Sequence, residues 1–207
     1  MVAAGGVGVA VVDQQVTQLF ALVSEALAQA TYALLNQDPV IGQAVVDGDQ
    51  AVDDLTARVE LTVWEELASG PGPGGLRPLV GVLLILPELE RSADLAEHIA
   101  QRAVSNLGPQ MSPLSRGIVQ RMTEVAVEMW QMAADGYAER SIRSTDLADC
   151  DEEIDILHER LTNEIAGEAM PTAVAAQVTL LARFYERLGD HAVNLARRIE
   201  LLSDPAA

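Results

Sequence analysis

Two stretches of this chain each occur twice. "DGDQAVDDLTAR" at 47–58 returns as "DCDEEIDILHER" at 149–160, so that Asp47, Asp49, Asp53, Leu55 and Arg58 are answered by Asp149, Asp151, Asp155, Leu157 and Arg160, 102 residues later. "ELERSADLAEHIA" at 88–100 returns as "FYERLGDHAVNLA" at 184–196, where Glu90, Arg91 and Asp94 are answered by Glu186, Arg187 and Asp190, 96 residues later. The glycine-proline run "SGPGPGGLRP" at 69–78 absorbs the difference between the two offsets. Duplication at a near-constant spacing is a strong constraint on fold. Each copy is one supersecondary unit, and a unit that cannot bury its apolar face alone packs against its twin. The units are residues 1–107 and 108–207.

Proline and glycine divide the chain into six long segments. The breaks fall at Asp38-Pro39, at 69–78, at "NLGPQMSP" (106–113), at "RSTD" (143–146) and between Gly167 and Pro171. Thr145 or Asp146 is the expected N-cap of the fifth segment, and Pro171 suits the first turn of the sixth. Apolar residues recur at three, four or seven within the segments, as in Val174, Val178, Leu181, Leu188, Leu195 and Ile199. No β-alternation is sustained. The expected fold is all-α: six long helices in two pseudo-symmetric three-helix bundles. Pro87 should bend the third helix without ending it, because the apolar pattern runs through it. The methionines at 122, 129 and 132 share a helix face and read as core filler.

Composition narrows the function. Only 3% of residues are aromatic against 49% hydrophobic, so the core is built of Ala, Val and Leu. The formal charge of −18 repels phosphate backbones and argues against a nucleic-acid partner. Cys150 is the only cysteine, which excludes an internal disulfide, fits a reducing compartment, and lies between two acids that disfavour a thiolate. The first residues are apolar but lack the basic residues of a signal peptide, and "LRPLVGVLLILPE" is too short to cross a bilayer. A cytoplasmic location without direct membrane insertion is expected. "GPGPGG" lacks the Lys-Ser/Thr of a P-loop.

The repeated acids carry the chemistry. Positions four apart share a helix face, so Asp49 pairs with Asp53 and Glu90 with Asp94 on neighbouring helices. Asp151, Asp155, Glu186 and Asp190 repeat the arrangement. Crowded carboxylates repel, and cations relieve that directly. All-oxygen ligation suits Mg²⁺, Ca²⁺, Mn²⁺ or Fe³⁺, and zinc accepts carboxylates too. The simpler reading pairs these acids with Arg91, Arg183 and Arg187 as surface ion pairs. Kept register at four duplicated pairs favours metal. His98, His191 and Asn194, adjacent to these motifs, could complete or orient a metal shell, and His158 forms an Asp-x-x-His with Asp155.

At "ERLGDHAVNLA", its weaker copy "ERSADLAEHIA", "DQAVD" and "DEEID", the chain resembles the PhoU family of phosphate-uptake regulators. The first copy departs from the second, with Leu95 where His191 stands and His98 where Asn194 stands. The resemblance implies a six-helix protein whose acid-x-x-x-acid motifs hold iron or zinc clusters. By position, the ligands would be Asp49, Asp53, Glu90, Asp94, Asp151, Asp155, Glu186 and Asp190. It also implies a homodimer, without catalytic activity, that regulates the phosphate ABC transporter by contact with its ATPase and restrains a sensor histidine kinase of phosphate-responsive two-component signalling. Two other readings stand beside it. A ferritin-like carboxylate di-metal enzyme would need Glu-x-x-His motifs, which the chain lacks. A metal-free helical adaptor would leave the acids salt-bridged.

Overall fold

In the computed structural model, residues 5–72, 74–167 and 170–203 are described. Six long helices account for most of them: α1 (Gly5–Asn36), α2 (Pro39–Ser69), α3 (Leu76–Val104), α4 (Pro113–Glu139), α5 (Ala148–Gly167) and α6 (Thr172–Ser203). No strand occurs among the described residues. The two short 3-10 turns lie at Gly108–Gln110 and Ser144–Leu147.

The local signals act where chain chemistry places them. The Asp38 carboxylate accepts from the amides of Val40 and Ile41 at 3.1 Å and starts α2 immediately after α1. Gly70 takes the left-handed conformation (φ 80°) that closes α2. Ser112 caps α4, accepting from the Ser115 amide at 3.0 Å, with Pro113 in the first turn. The start of α5 differs from expectation. Thr145 and Asp146 lie inside the 3-10 turn that leads into the helix, and Arg143 holds the extended cap position. Asp146 works backwards, its carboxylate accepting from the Arg143 amide at 3.0 Å. Pro171 precedes α6 instead of entering it, and its carbonyl accepts from Val174 and Ala175. Pro73 and residues 168 and 169, within two of the expected breaks, and both chain termini lie outside the described residues. Helix α3 continues through Pro87, and Arg198 of α6 donates to the nearby Leu84 carbonyl.

Helices α1, α2 and α3 pack on one another, as do α4, α5 and α6. The two sets meet through α1 against α4 and α3 against α6. Both seams are antiparallel. Asp13, early in α1, binds Tyr137 and Arg140 at the end of α4, while Arg116, early in α4, donates to Leu35 at the end of α1. Arg77 at the start of α3 reaches the Leu201 carbonyl at the end of α6. A continuous apolar core runs through both sets. Phe20 packs against Trp130 and Tyr137 at ring distances of 6.2 and 5.5 Å, and the Trp130 indole donates to the Leu188 carbonyl. Met122 and Met129 are fully buried and Met132 packs against the core, as their spacing suggested.

Helix α1 corrects the sequence reading of apolar runs. From Gly8 to Asn36 it is long and apolar enough to cross a membrane by length and mean hydropathy (1.2), which the search for uncharged runs overlooked. Here its apolar stripe of Val12, Val16, Leu19, Phe20, Val23 and Leu27 is buried in the bundle instead.

Candidate functional site

The α2–α3 hairpin sets Asp49 and Asp53 beside Glu90 and Asp94, because consecutive helices joined by a short linker pack antiparallel. Asp49 lies at a small cleft lined by the apolar Leu22, Ala26, Val45 and Val52 and also by Glu97. This apolar wall, followed by the charges of Asp53, Glu97, Asp94 and Glu90, pushes the Asp49 carboxyl up to about 6. Burial and then Asp53 raise both Glu90 and Asp94, Arg91 opposing the first and His98 the second. The four acids therefore share one electrostatic environment.

The α5–α6 hairpin repeats the edge with more compensation. Burial, then Asp155 and Asp190, raise Asp151, while Arg197 opposes. Burial raises Glu186 as well, with Arg183 the main opposing charge and Asp190 and Asp155 adding to the rise. Arg183 donates to Glu186 Oε1. The other oxygen, Oε2, is buried and has no hydrogen-bond partner. Such an orphan is the kind of atom a cation would satisfy. The donor set at both edges is all oxygen, which fits a hard ion or zinc. Among the described residues, however, no three or more His, Cys, Asp or Glu side chains stand as a preformed ligand set.

The histidines and Asn194 do not join them. His191 is buried in the α3–α6 seam, its Nδ1 2.8 Å from Ser92 Oγ and its Nε2 3.9 Å from Glu88 Oε2. It is committed to the seam between the two halves, one residue round the helix from the acid edge. His98 stacks on Phe184 at 5.4 Å, and Asn194 accepts from Arg197 at 3.4 Å. His98 still reaches Asp94 electrostatically. His158 does the same to Glu186.

Sequence reasoning missed three acids. Glu97 and Glu60 extend the first edge, acting on Asp49 and Glu90 respectively. Their counterparts in the second copy are Val193 and Thr162, so a search for duplicated acids passes over them. Helical spacing was the available signal, since Glu97 follows Glu90 by two turns. Glu88 is the third. It is 3% exposed and receives Arg198 at 2.8 Å, with Arg91 at 3.9 Å. Cys150 behaves as its surroundings suggested: burial, then Glu128, Glu153 and Asp149, raise its thiol.

Known proteins match this chain along nearly its full length. A crystal structure of the phosphate transport system regulatory protein PhoU from Streptococcus pneumoniae superposes with a TM-score of 0.86 at 22% identity, covering 96% of each chain. PhoU from Pseudomonas aeruginosa superposes with a TM-score of 0.85 at 23% identity, covering 95% of this chain and 97% of the other. In sequence, the phosphate-specific transport system accessory protein PhoU homolog 2 of Mycobacterium tuberculosis is 31% identical over 192 residues, 90% of each chain. The PhoU homolog of Rhizobium meliloti is 28% identical over 200 residues, 93% of this chain and 84% of its own. With the PhoU domain family model matching twice, at residues 16–103 and 119–199, this chain belongs to the PhoU family.

Proposed function

We propose that this protein is an accessory regulator of phosphate transport that binds metal ions at its two acid edges and acts by contact, without catalysis. The observation that carries the metal reading is the α2–α3 packing that sets four acids along one edge, an arrangement repeated by duplication at α5–α6, and the raised Asp49 carboxyl supports it. An apo cluster stores repulsion that a cation would release. Asp49, Asp53, Glu90 and Asp94 would hold the ion on the first edge, with Glu97 near enough to join, and Asp151, Asp155, Glu186 and Asp190 on the second. Iron or zinc is the favoured ion, with Mg²⁺, Ca²⁺ and Mn²⁺ also compatible with oxygen donors. Closing on an ion would need only side-chain rotation, since each of these acids is half-buried or exposed. The first edge is the stronger site, because Arg183 is hydrogen-bonded to Glu186 on the second, whereas Arg91 and His98 act on the first through charge alone.

The partners we propose are the ATPase of the phosphate ABC transporter and a sensor histidine kinase, met in the cytoplasm. The relatives' names as transport-system accessory proteins support the first. The charge of −18 would steer a basic partner face toward the helices. A homodimer is consistent with exposed Leu76, Val80 and Leu84 along one face of α3. The ion-pair reading without metal draws on the Arg183–Glu186 bridge at the second edge and on the charge of Arg91 near Glu90 at the first.

Elemental analysis of protein purified without chelator tests the site. Asp49→Asn with Asp94→Asn should remove most bound metal, and Glu186→Gln with Asp190→Asn a smaller share. Metal content unchanged by both pairs would end the assignment. Pull-down of the transporter ATPase tests the adaptor role, and recovery no greater than with an unrelated acidic protein would end that.

A further inference from the structure

The α3–α6 seam contains the same position twice, and the two copies are dressed differently. Glu88 and Phe184 are equivalent in the duplication, as are Arg102 and Arg198, each pair 96 residues apart. Because α3 and α6 run antiparallel, each arginine faces the other helix's member of the first pair. Arg198 faces Glu88 and donates to it at 2.8 Å. Arg102 faces Phe184, with its guanidinium carbon 4.8 Å from the ring centroid. Arg102 has the charge of its twin without a facing carboxylate.

Nothing nearby replaces that carboxylate. Among the described residues Arg102 makes no ion pair, in a chain where acids outnumber basic residues 31 to 13. Its Nη1 donates to the His98 carbonyl at 2.9 Å, which fixes the fork in place. Its Nε is buried and has no partner. Burial alone shifts it, downward, with no acid contributing. An unpaired, partly desolvated guanidinium is an incomplete interaction.

Arg102 lines a cleft of about 420 Å³ between the end of α3 and the start of α6. Its polar lining is Gln101, Ser105, Gln110 and Gln177, with no carboxylate. Gln101 is turned toward Glu97 and Gln110 toward the Asn106 carbonyl, which leaves Gln177 as the uncommitted amide. A guanidinium whose Nη2 edge is uncommitted, an amide from the facing helix and a lining without acids are the chemistry that recognises an oxygen-rich anion. We propose that this cleft binds a small oxyanion on Arg102 and Gln177, either free or carried as a phosphate monoester. Phe184 is the specificity element. By occupying the place of a glutamate it keeps the arginine available. The long-range field of −18 opposes anions, but it is screened within about 8 Å at physiological ionic strength, so the acid-free lining of the cleft decides binding.

This inference is independent of the metal reading, and the experiment keeps them apart by working in chelator. Chemical-shift changes of the Arg102 and Gln177 side-chain N–H groups are followed on titration with inorganic phosphate, and separately with glycerol phosphate, at ionic strength held constant with chloride. Saturable shifts are expected with one or both, and the tighter of the two identifies the free or the esterified form. Arg102→Gln should weaken binding about tenfold or more, and Arg102→Lys less, since it keeps the charge without the fork. Phe184→Glu supplies the missing carboxylate and should abolish binding while circular dichroism stays helical. Absence of saturation with both anions in the wild-type chain overturns the proposal, as does affinity unchanged in Arg102→Gln. Because Arg102→Gln is a half-exposed substitution on a helix surface, it tests the site even where Phe184→Glu disturbs packing.

Discussion

Asp49 stands against an apolar wall with acids of α2 and α3 around it, and its stability linkage has a definite sign. Its folded pKa of about 6 lies above the ordinary 3.8, so the native chain holds more protons than the unfolded one between those values. The stabilising contribution is complete below about 4 and is lost as pH rises through about 6. In chelator, thermal stability should fall over that window, and Asp49→Asn should shallow the fall and raise the melting temperature at pH 7.5. Equal slopes for both chains would remove the cluster as the cause. Glu88 is the opposite case, a buried acid with a partner. Arg198→Ala strips the contact at 2.8 Å and leaves only those at 3.9 Å from Arg91 and His191. That should cost about 3 kcal/mol in urea unfolding, and Glu88→Gln less, because the neutral amide needs no counter-charge. The eight acids of the four i, i+4 pairs could be singled out in the sequence because register itself was the signal. Glu88, Glu97 and Glu60 were not, because their twins are Phe184, Val193 and Thr162. A repeat shows what the halves share and hides what separates them.

Helix ends show the same division. Asp38 and Ser112 each sit before a proline and have one conformation to choose, so both boundaries could be read from the chain. The start of α5 could not, because Thr145 and Asp146 both suit a cap and the choice fell to Arg143, tied through Asp146. Nor could the turn after α3. Gly108 presses its backbone onto α1, where an added Cβ would stand 2.1 Å from the Leu34 carbonyl oxygen. That carbonyl belongs to a helix and cannot swing aside as a side chain would. Gly108→Ala should therefore destabilise by about 1–3 kcal/mol. Gly117 on α4 has open space around it, and Gly117→Ala should stabilise by about 0.5–1 kcal/mol through helix propensity alone. Chemical denaturation of the two variants checks both signs. A Gly108→Ala chain as stable as the wild type would mean that α1 and the α3–α4 turn are not in contact.

At the scale of the whole molecule, duplication suggests two domains while the packing joins them. Phe20 of α1 is wedged against Trp130 and Tyr137 of α4, and the Trp130 indole reaches α6. The Tyr185 hydroxyl of α6 lies 2.5 Å from Thr31 of α1, and Tyr185 is fully buried. Residues from both halves thus satisfy one another's polar groups inside a shared core. Neither half could open without exposing Phe20 or Trp130 and orphaning Thr31 or Tyr185, each a penalty comparable to a large part of a domain's net stability. The full chain should therefore unfold in a single calorimetric transition whose van't Hoff and calorimetric enthalpies agree. Trp130→Ala should lower that transition by about 3–5 kcal/mol without splitting it. Residues 1–107 and 108–207, expressed apart, should lack cooperative melting until mixed. Two resolved transitions in the intact chain, or a Trp130→Ala effect confined to one of them, would show instead that each three-helix set stands alone and that the acid edges can be loaded independently.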